Sequence, residues 1–169
     1  MVRFVQLRSL ASLTLQLAIL GALVAAFFVR TPQVFGPSME PHISSGEYVL
    51  ENTLAFKLGS PHRGDIVVFR HMSDAPEIYI KRIIGLPGDR VRINSGVVFL
   101  NERVLDEPYL RFRDARSFPE ITVPTNSVYV LGDNRANSED SRVFGAVSDS
   151  DLTGKALAGI WPLANVGSL

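Results

Sequence analysis

The sequence contains no cysteine. Disulfide staples, thiolate nucleophiles and cysteine-ligated zinc are therefore excluded. Histidine is scarce: His42, His62 and His71 lie far apart, with no HExxH pattern, so neither a metal nor another cofactor is expected. An excess of one charge is also lacking, since 17 Lys and Arg balance 17 Asp and Glu. Nucleic acid is thus not expected as a partner, because phosphate binding leaves a basic excess. No internal repeat or low-complexity tract is present. Beyond the N-terminal segment, no window carries the apolar spacing of an amphipathic helix. What remains is a 169-residue chain with 46% apolar residues, enough for one buried core and too apolar for a disordered protein.

The first feature present is a long apolar run. Residues 9–29, SLASLTLQLAILGALVAAFFV, carry no charge. Coiled at about 1.5 Å per residue, they span roughly the 30 Å hydrocarbon layer of a bilayer. Arg3, Arg8 and the α-amino group precede the run, and Arg30 follows it closely. This bias predicts residues 1–8 in the cytoplasm, a single transmembrane helix over 9–29, and residues 30–169 on the far side. A cleaved secretory leader is the competing reading. Such a leader has an apolar core of about 7–15 residues and ends in small residues, whereas this run is longer and ends in Phe27–Phe28.

From Glu47 onward, short β-branched and aromatic runs alternate with turn formers. EYVLEN, DIVVFR, IYIKRII, RVRI, VVFL, VYVL and ALAGIW read as strands. Asn94–Gly96 between RVRI and VVFL reads as a hairpin turn, and Pro87–Asp89 as a tight turn leading into it. The expectation is a mainly β, antiparallel domain, barrel-like or sandwiched. The charged, turn-rich residues 106–119 (DEPYLRFRDARSFP) read as a peripheral excursion from it.

Three segments carry candidate chemistry. In GPSMEP, Gly36 to Pro41, two prolines and a glycine bend the backbone around Ser38 and can hold its hydroxyl exposed. A serine needs a base. His42 is near in sequence, but nothing around it resembles a Ser-His-Asp arrangement. In YIKRIIGLPGD, strand alternation puts Lys81 on one face with Tyr79 and Ile83, and Arg82 on the other with Ile80 and Ile84. Burial among apolar neighbours disfavours an ammonium, and only a neutral lysine can take a proton from serine. A lysine snorkelling to solvent is the alternative for this position. In GDNRANSEDSR, Gly132 to Arg142, Asp133, Asp140, Arg135 and Arg142 can pair to stiffen a loop, and Ser138 can bond a neighbouring group. The alternating carboxylates of an EF-hand are absent from it.

These segments together with RGDIVVF, in this order behind one membrane helix and followed by GKALAGIWP, resemble bacterial type I signal peptidase across nearly the whole chain. The resemblance implies a membrane-bound endopeptidase with an antiparallel β fold that removes signal peptides from exported preproteins, cutting after Ala-x-Ala. Ser38 would be the nucleophile and Lys81 the general base. Ser138 would orient the lysine, while Asp140, Arg142 and Arg82 brace the site. Val34, Met39, Ile43, Val68, Tyr79 and Ile80 would line shallow apolar pockets. The implied location is the bacterial plasma membrane, near membrane lipid and the secretion translocon. Gly36 stands where some relatives have a serine that helps the oxyanion, so a second oxyanion donor is unassigned. Ala136 replaces a frequent aspartate. Self-cleaving repressors share this chemistry but carry a DNA-binding segment in place of the membrane helix. The alternative of another class is a tethered, inactive β module that binds peptides.

Overall fold

The computed structural model describes residues 2–72, 76–162 and 167–168. Helix α1 (Val2–Phe28) covers the apolar run except its last residue, Val29, together with the residues before it. Its Ala11–Phe28 window has mean hydropathy 2.0, and none of that window is buried against the rest of the protein. A helix with no polar face and no protein cover has its side chains available only to solvent or lipid. At its end the Phe28 carbonyl accepts from both the N–H and the hydroxyl of Thr53, each at 3.0 Å. One helix-terminal acceptor is thereby satisfied by the β domain itself.

Strand β1 (Val29–Arg30) follows at once. Next come β2 (Tyr48–Asn52), the short turn α2 (Ala55–Leu58), β3 (Ile66–Met72) and β4 (Pro76–Gly85). A hairpin pair, β5 (Arg90–Asn94) and β6 (Val97–Leu100), leads to β7 (Arg103–Val104) and β8 (Phe118–Thr122). After β9 (Ser127–Leu131) come α3 (Ser141–Phe144), β10 (Val147–Ser148), β11 (Leu152–Trp161) and β12 (Gly167–Ser168). The larger sheet runs β1-β2-β11-β3-β4-β9-β10, with β12 also on β11; the smaller runs β7-β6-β5-β8. Neighbouring strands pair antiparallel, so the mainly β, antiparallel expectation holds.

Strand alternation sorts the apolar residues into three cores. Val34, Met39, Ile43, Val49, Val68 and Ile80 form one of them. A second joins Ile84 and Leu131 to Val91, Ile93 and Val98 of the smaller sheet. Val67, Phe69, Ile83, Val128 and Val130 make the third, with Tyr79 and Phe144 packed against it. Each buried Ile or Phe side chain is worth about 1.5–3 kcal/mol in area removed from water. Strand β4 contributes to all three cores, which is why residues 80–84 keep one orientation. A register slip by one residue would move Lys81 to the opposite face.

The turn at Ser95 and Gly96 has φ of 47° and 77°, the paired positive values of a two-residue hairpin turn. Gly96 is required twice over, because a Cβ there would meet the Asp114 carbonyl oxygen at 1.7 Å. Residues 106–119 lie outside the larger sheet, and most of them are exposed. The segment packs back across the hairpin turn, buries Glu107 and Leu110, and supplies the first residues of β8. Two of its acids, Glu107 and Asp114, are partners of the buried Arg135 and Arg142.

Candidate active site

Ser38 sits on a compact turn outside the regular strands. The Glu40 N–H donates to the Pro37 carbonyl, and the His42 and Ile43 N–H groups donate to the Met39 carbonyl. Met39 and Ile43 are fully buried below it and root the turn in the first core. From the opposite side, the Asn134 N–H donates to the Ser38 carbonyl at 3.0 Å. The approach is close because Gly132 lacks a side chain: a Cβ there would lie 2.5 Å from the Ser38 carbonyl oxygen and 2.2 Å from the Ser138 hydroxyl.

Lys81 reaches the same point from the middle of β4. Its register partner is Val67 of β3, and it shares its strand face with Tyr79, whose ring centroid lies 5.3 Å from Nζ. Lys81 is only 3% exposed, so the snorkelling alternative does not apply. Nζ donates to Ser38 Oγ at 2.9 Å and to the Ile80 carbonyl at 3.0 Å. Burial pushes its pKa down to about 8, against the opposing fields of Asp140 and Glu139.

Behind this pair lies an ion-pair lattice. Arg82 donates from Nε and Nη2 to the two Asp133 oxygens at 2.9 and 2.7 Å. His42 Nδ1 lies 3.2 Å from Asp133 as well. The histidine is therefore turned to this carboxylate. Asp140, fully buried, accepts from the Gly132 N–H, the Ser138 hydroxyl and Arg142. Arg142 also reaches Asp114 at 2.7 Å, and Arg135 pairs with Glu107. Burial alone would lower the Arg82 and Arg142 pKa values, but their carboxylate partners overcome it and raise both.

Ser138 is bonded within its own loop. Its hydroxyl donates to Asp140 Oδ2 at 2.7 Å, and the described hydrogen bonds of Lys81 Nζ go to Ser38 and Ile80 instead. That donation uses the one hydroxyl proton and leaves the oxygen lone pairs open to a donor such as an ammonium. The bond ties Ser138 to Asp140 two residues on.

Ser38 and Lys81 open into a cleft of about 460 Å³. Val34, Val68, Tyr79 and Ile80 line it; Met39 and Ile43 do not, because both lie in the core beneath it. Sequence reasoning missed Gln33, Phe35, Ile78 and Glu139 on the cleft wall. It also missed Glu107 and Asp114 as arginine partners. The equal count of acids and bases hinted that such partners existed, though not which arginine each would meet. Among the described residues, no group of acids and histidines is arranged to hold a metal ion.

The signal peptidase, peptidase S26 family model matches residues 7–161. The chain is 38% identical over 157 residues to a probable signal peptidase I-2 of Synechocystis sp., covering 89% of this chain and 72% of that protein. It is 39% identical over 143 residues to signal peptidase I of Bacillus caldolyticus, covering 76% and 78%. The crystal structure of a signal peptidase I from Enterococcus faecalis superposes with a TM-score of 0.50 at 31% identity, covering 57% of this chain and 96% of that one. Sequence blocks, β architecture and a family match across most of the chain agree, and the chain belongs to the signal peptidase, peptidase S26 family.

Proposed function

We propose that this chain is a membrane-tethered serine endopeptidase that removes signal peptides from exported preproteins, with Ser38 as nucleophile and Lys81 as general base. The observation that carries the reading is the 2.9 Å contact between Lys81 Nζ and Ser38 Oγ, with Nζ buried and its pKa lowered to about 8. In the neutral form the polarity of that contact reverses, and the hydroxyl donates to the amine lone pair. As Nζ takes the proton, Oγ bonds to the scissile carbonyl carbon. The C–N bond then breaks, Nζ returns the proton to the leaving amine, and an acyl-enzyme remains. A water molecule gives a proton to Nζ as its oxygen bonds to the acyl carbon; the C–Oγ bond breaks, Nζ returns the proton to Ser38 Oγ, and the leader leaves with a free carboxyl group.

The Ser38 N–H has no acceptor among the described residues and is free to donate to the developing oxyanion. Pro37 has no N–H to add. Gly36, with φ of 85° and no atom within 4 Å of a Cβ built there, leaves room on that side for substrate. Val34, Val68 and Ile80 favour small apolar side chains before the cut, consistent with Ala-x-Ala. Helix α1 fits a single membrane span with its N-terminus in the cytoplasm. That orientation would set the cleft at the outer surface of a bacterial plasma membrane, close to lipid and to the secretion translocon.

The test is cleavage of a preprotein bearing an Ala-x-Ala site by detergent-solubilised wild type, Ser38→Ala and Lys81→Met. Cleavage after the second alanine, abolished in both variants, is expected. Activity surviving in Lys81→Met would remove the lysine from the mechanism. A folded wild-type protein that binds the leader but never cuts it would establish the peptide-binding module instead.

A further inference from the structure

At the last turn of α1 lies a second cavity, of about 240 Å³, lined by Phe27, Phe28, Arg30, Thr53, Lys57 and Thr153, among others. It forms where the helix meets the β domain, so its position relative to α1 is held by the Thr53 bonds to the Phe28 carbonyl. Its two cations, Arg30 of β1 and Lys57 of α2, come from separate elements and face one space. Neither forms an ion pair with a carboxylate among the described residues, although Lys155 nearby in the sheet is paired with Asp65. The hydroxyls in the wall are committed elsewhere, Thr53 to Phe28 and Thr153 to Glu51 and Val68. Glu51, opposite Arg30 in the β1–β2 register, is the nearest acid by pairing; it is buried and accepts the Thr153 hydroxyl at 2.6 Å. Next to the cations are two large apolar side chains that the protein leaves mostly uncovered, Phe27 in the cavity wall and Leu58 following Lys57, each 81% exposed.

Unpaired cations beside uncovered apolar side chains, at the end of an apolar helix, match the layering of a bilayer surface, phosphate above acyl chain. A guanidinium and an ammonium converging on one space fit the oxygens of a phosphodiester. They oppose the quaternary ammonium of a zwitterionic lipid folded over its own phosphate. We propose that this cavity holds the phosphodiester of an anionic phospholipid headgroup, gripped by Arg30 and Lys57, with Phe27 and Leu58 against its acyl chains. The inference rests on the reading of α1 as a membrane span. Its consequence is a fixed height and tilt of the catalytic domain on the membrane, because the gripped lipid and the helix end are tied to the same strand pair.

The test uses the full chain, reconstituted in vesicles of phosphatidylcholine with or without phosphatidylglycerol, then released in uncharged detergent for native mass spectrometry of retained lipid. Wild type is expected to retain phosphatidylglycerol over phosphatidylcholine by roughly thirtyfold, the order expected for two surface cations. Arg30→Gln with Lys57→Gln should lose most of that preference. Arg103→Gln with Arg111→Gln, an equal charge change at exposed sites elsewhere, should keep it. Equal retention in the first pair, or equal loss in the second, overturns the proposal. Displacement of phosphatidylglycerol by soluble glycerol phosphate would mean that phosphate alone is recognised, and would overturn the lipid assignment. If wild type fails to float with vesicles of any composition, the membrane-span reading fails. Flotation without headgroup preference overturns only this inference.

Discussion

A lysine with a pKa of about 8 makes a quantitative demand on the pH profile. The free-energy difference from the ordinary 10.5 is about 3 kcal/mol in favour of the neutral amine. At pH 7 about one lysine in ten would be neutral, and at pH 9 about nine in ten. If only the neutral form is competent, kcat/KM rises about tenfold between those values and levels off near pH 9. An unshifted lysine would give about a hundredfold rise over the same interval with no plateau. The assay is initial-rate cleavage of an Ala-x-Ala preprotein from pH 6.5 to 10, with folding checked at each end. A log-linear climb of unit slope through pH 9.5 would refute the assignment of Lys81 as a buried base. The same displacement has a stability consequence. Between about pH 8 and 10.5 the folded state has released this proton while the unfolded state still holds it, so stability rises with pH across that window. Below pH 8 both states hold the proton, and the fold carries the cost of a buried ammonium. Lys81→Met is therefore expected to be inactive yet at least as stable as wild type at pH 7, measured by urea denaturation.

Further outcomes follow from the geometry. Glu139→Gln removes an exposed acid whose field raises the Lys81 pKa, so the rising limb of kcat/KM should move to lower pH; an unmoved limb counts against that coupling. Gly132→Ala should cut kcat by roughly a hundredfold, the scale of an ångström-size misplacement, because its Cβ would displace the Ser38 carbonyl. Unchanged single-turnover rates in a folded Gly132→Ala protein would show that this approach does not matter. Arg135→Met leaves buried Glu107 without its partner and should cost about 3–5 kcal/mol in urea unfolding. Adding Glu107→Leu should recover much of that loss, because the uncompensated charge is gone; no recovery would refute the pairing argument.

Local rules made most of the fold and part of the site legible. Strands appear where β-branched runs alternate with turn residues, since alternation and turn chemistry act over a few residues. The helix follows from an uninterrupted apolar run. Lys81 sharing a face with Tyr79 is a consequence of period two, and Gly96 of the positive φ its turn requires. Those properties belong to neighbouring residues, so the chain by itself determines them.

Tertiary structure decided the rest, because it joins residues far apart in sequence. Only packing brought Ser38 within 2.9 Å of Lys81 and buried the amine enough to lower its pKa. Only the course of residues 106–119 revealed that Glu107 pairs with Arg135 and Asp114 with Arg142. Only the fold shows that Ser138 gives its hydroxyl proton to the buried Asp140 carboxylate at 2.7 Å, which leaves its oxygen lone pairs open to a donor. Met39 and Ile43 carried the apolar character of pocket residues, but only the fold could say which side of the cleft floor they occupy. Residue type states what a side chain can do; burial and distance, set by the whole chain, select which of those things it does.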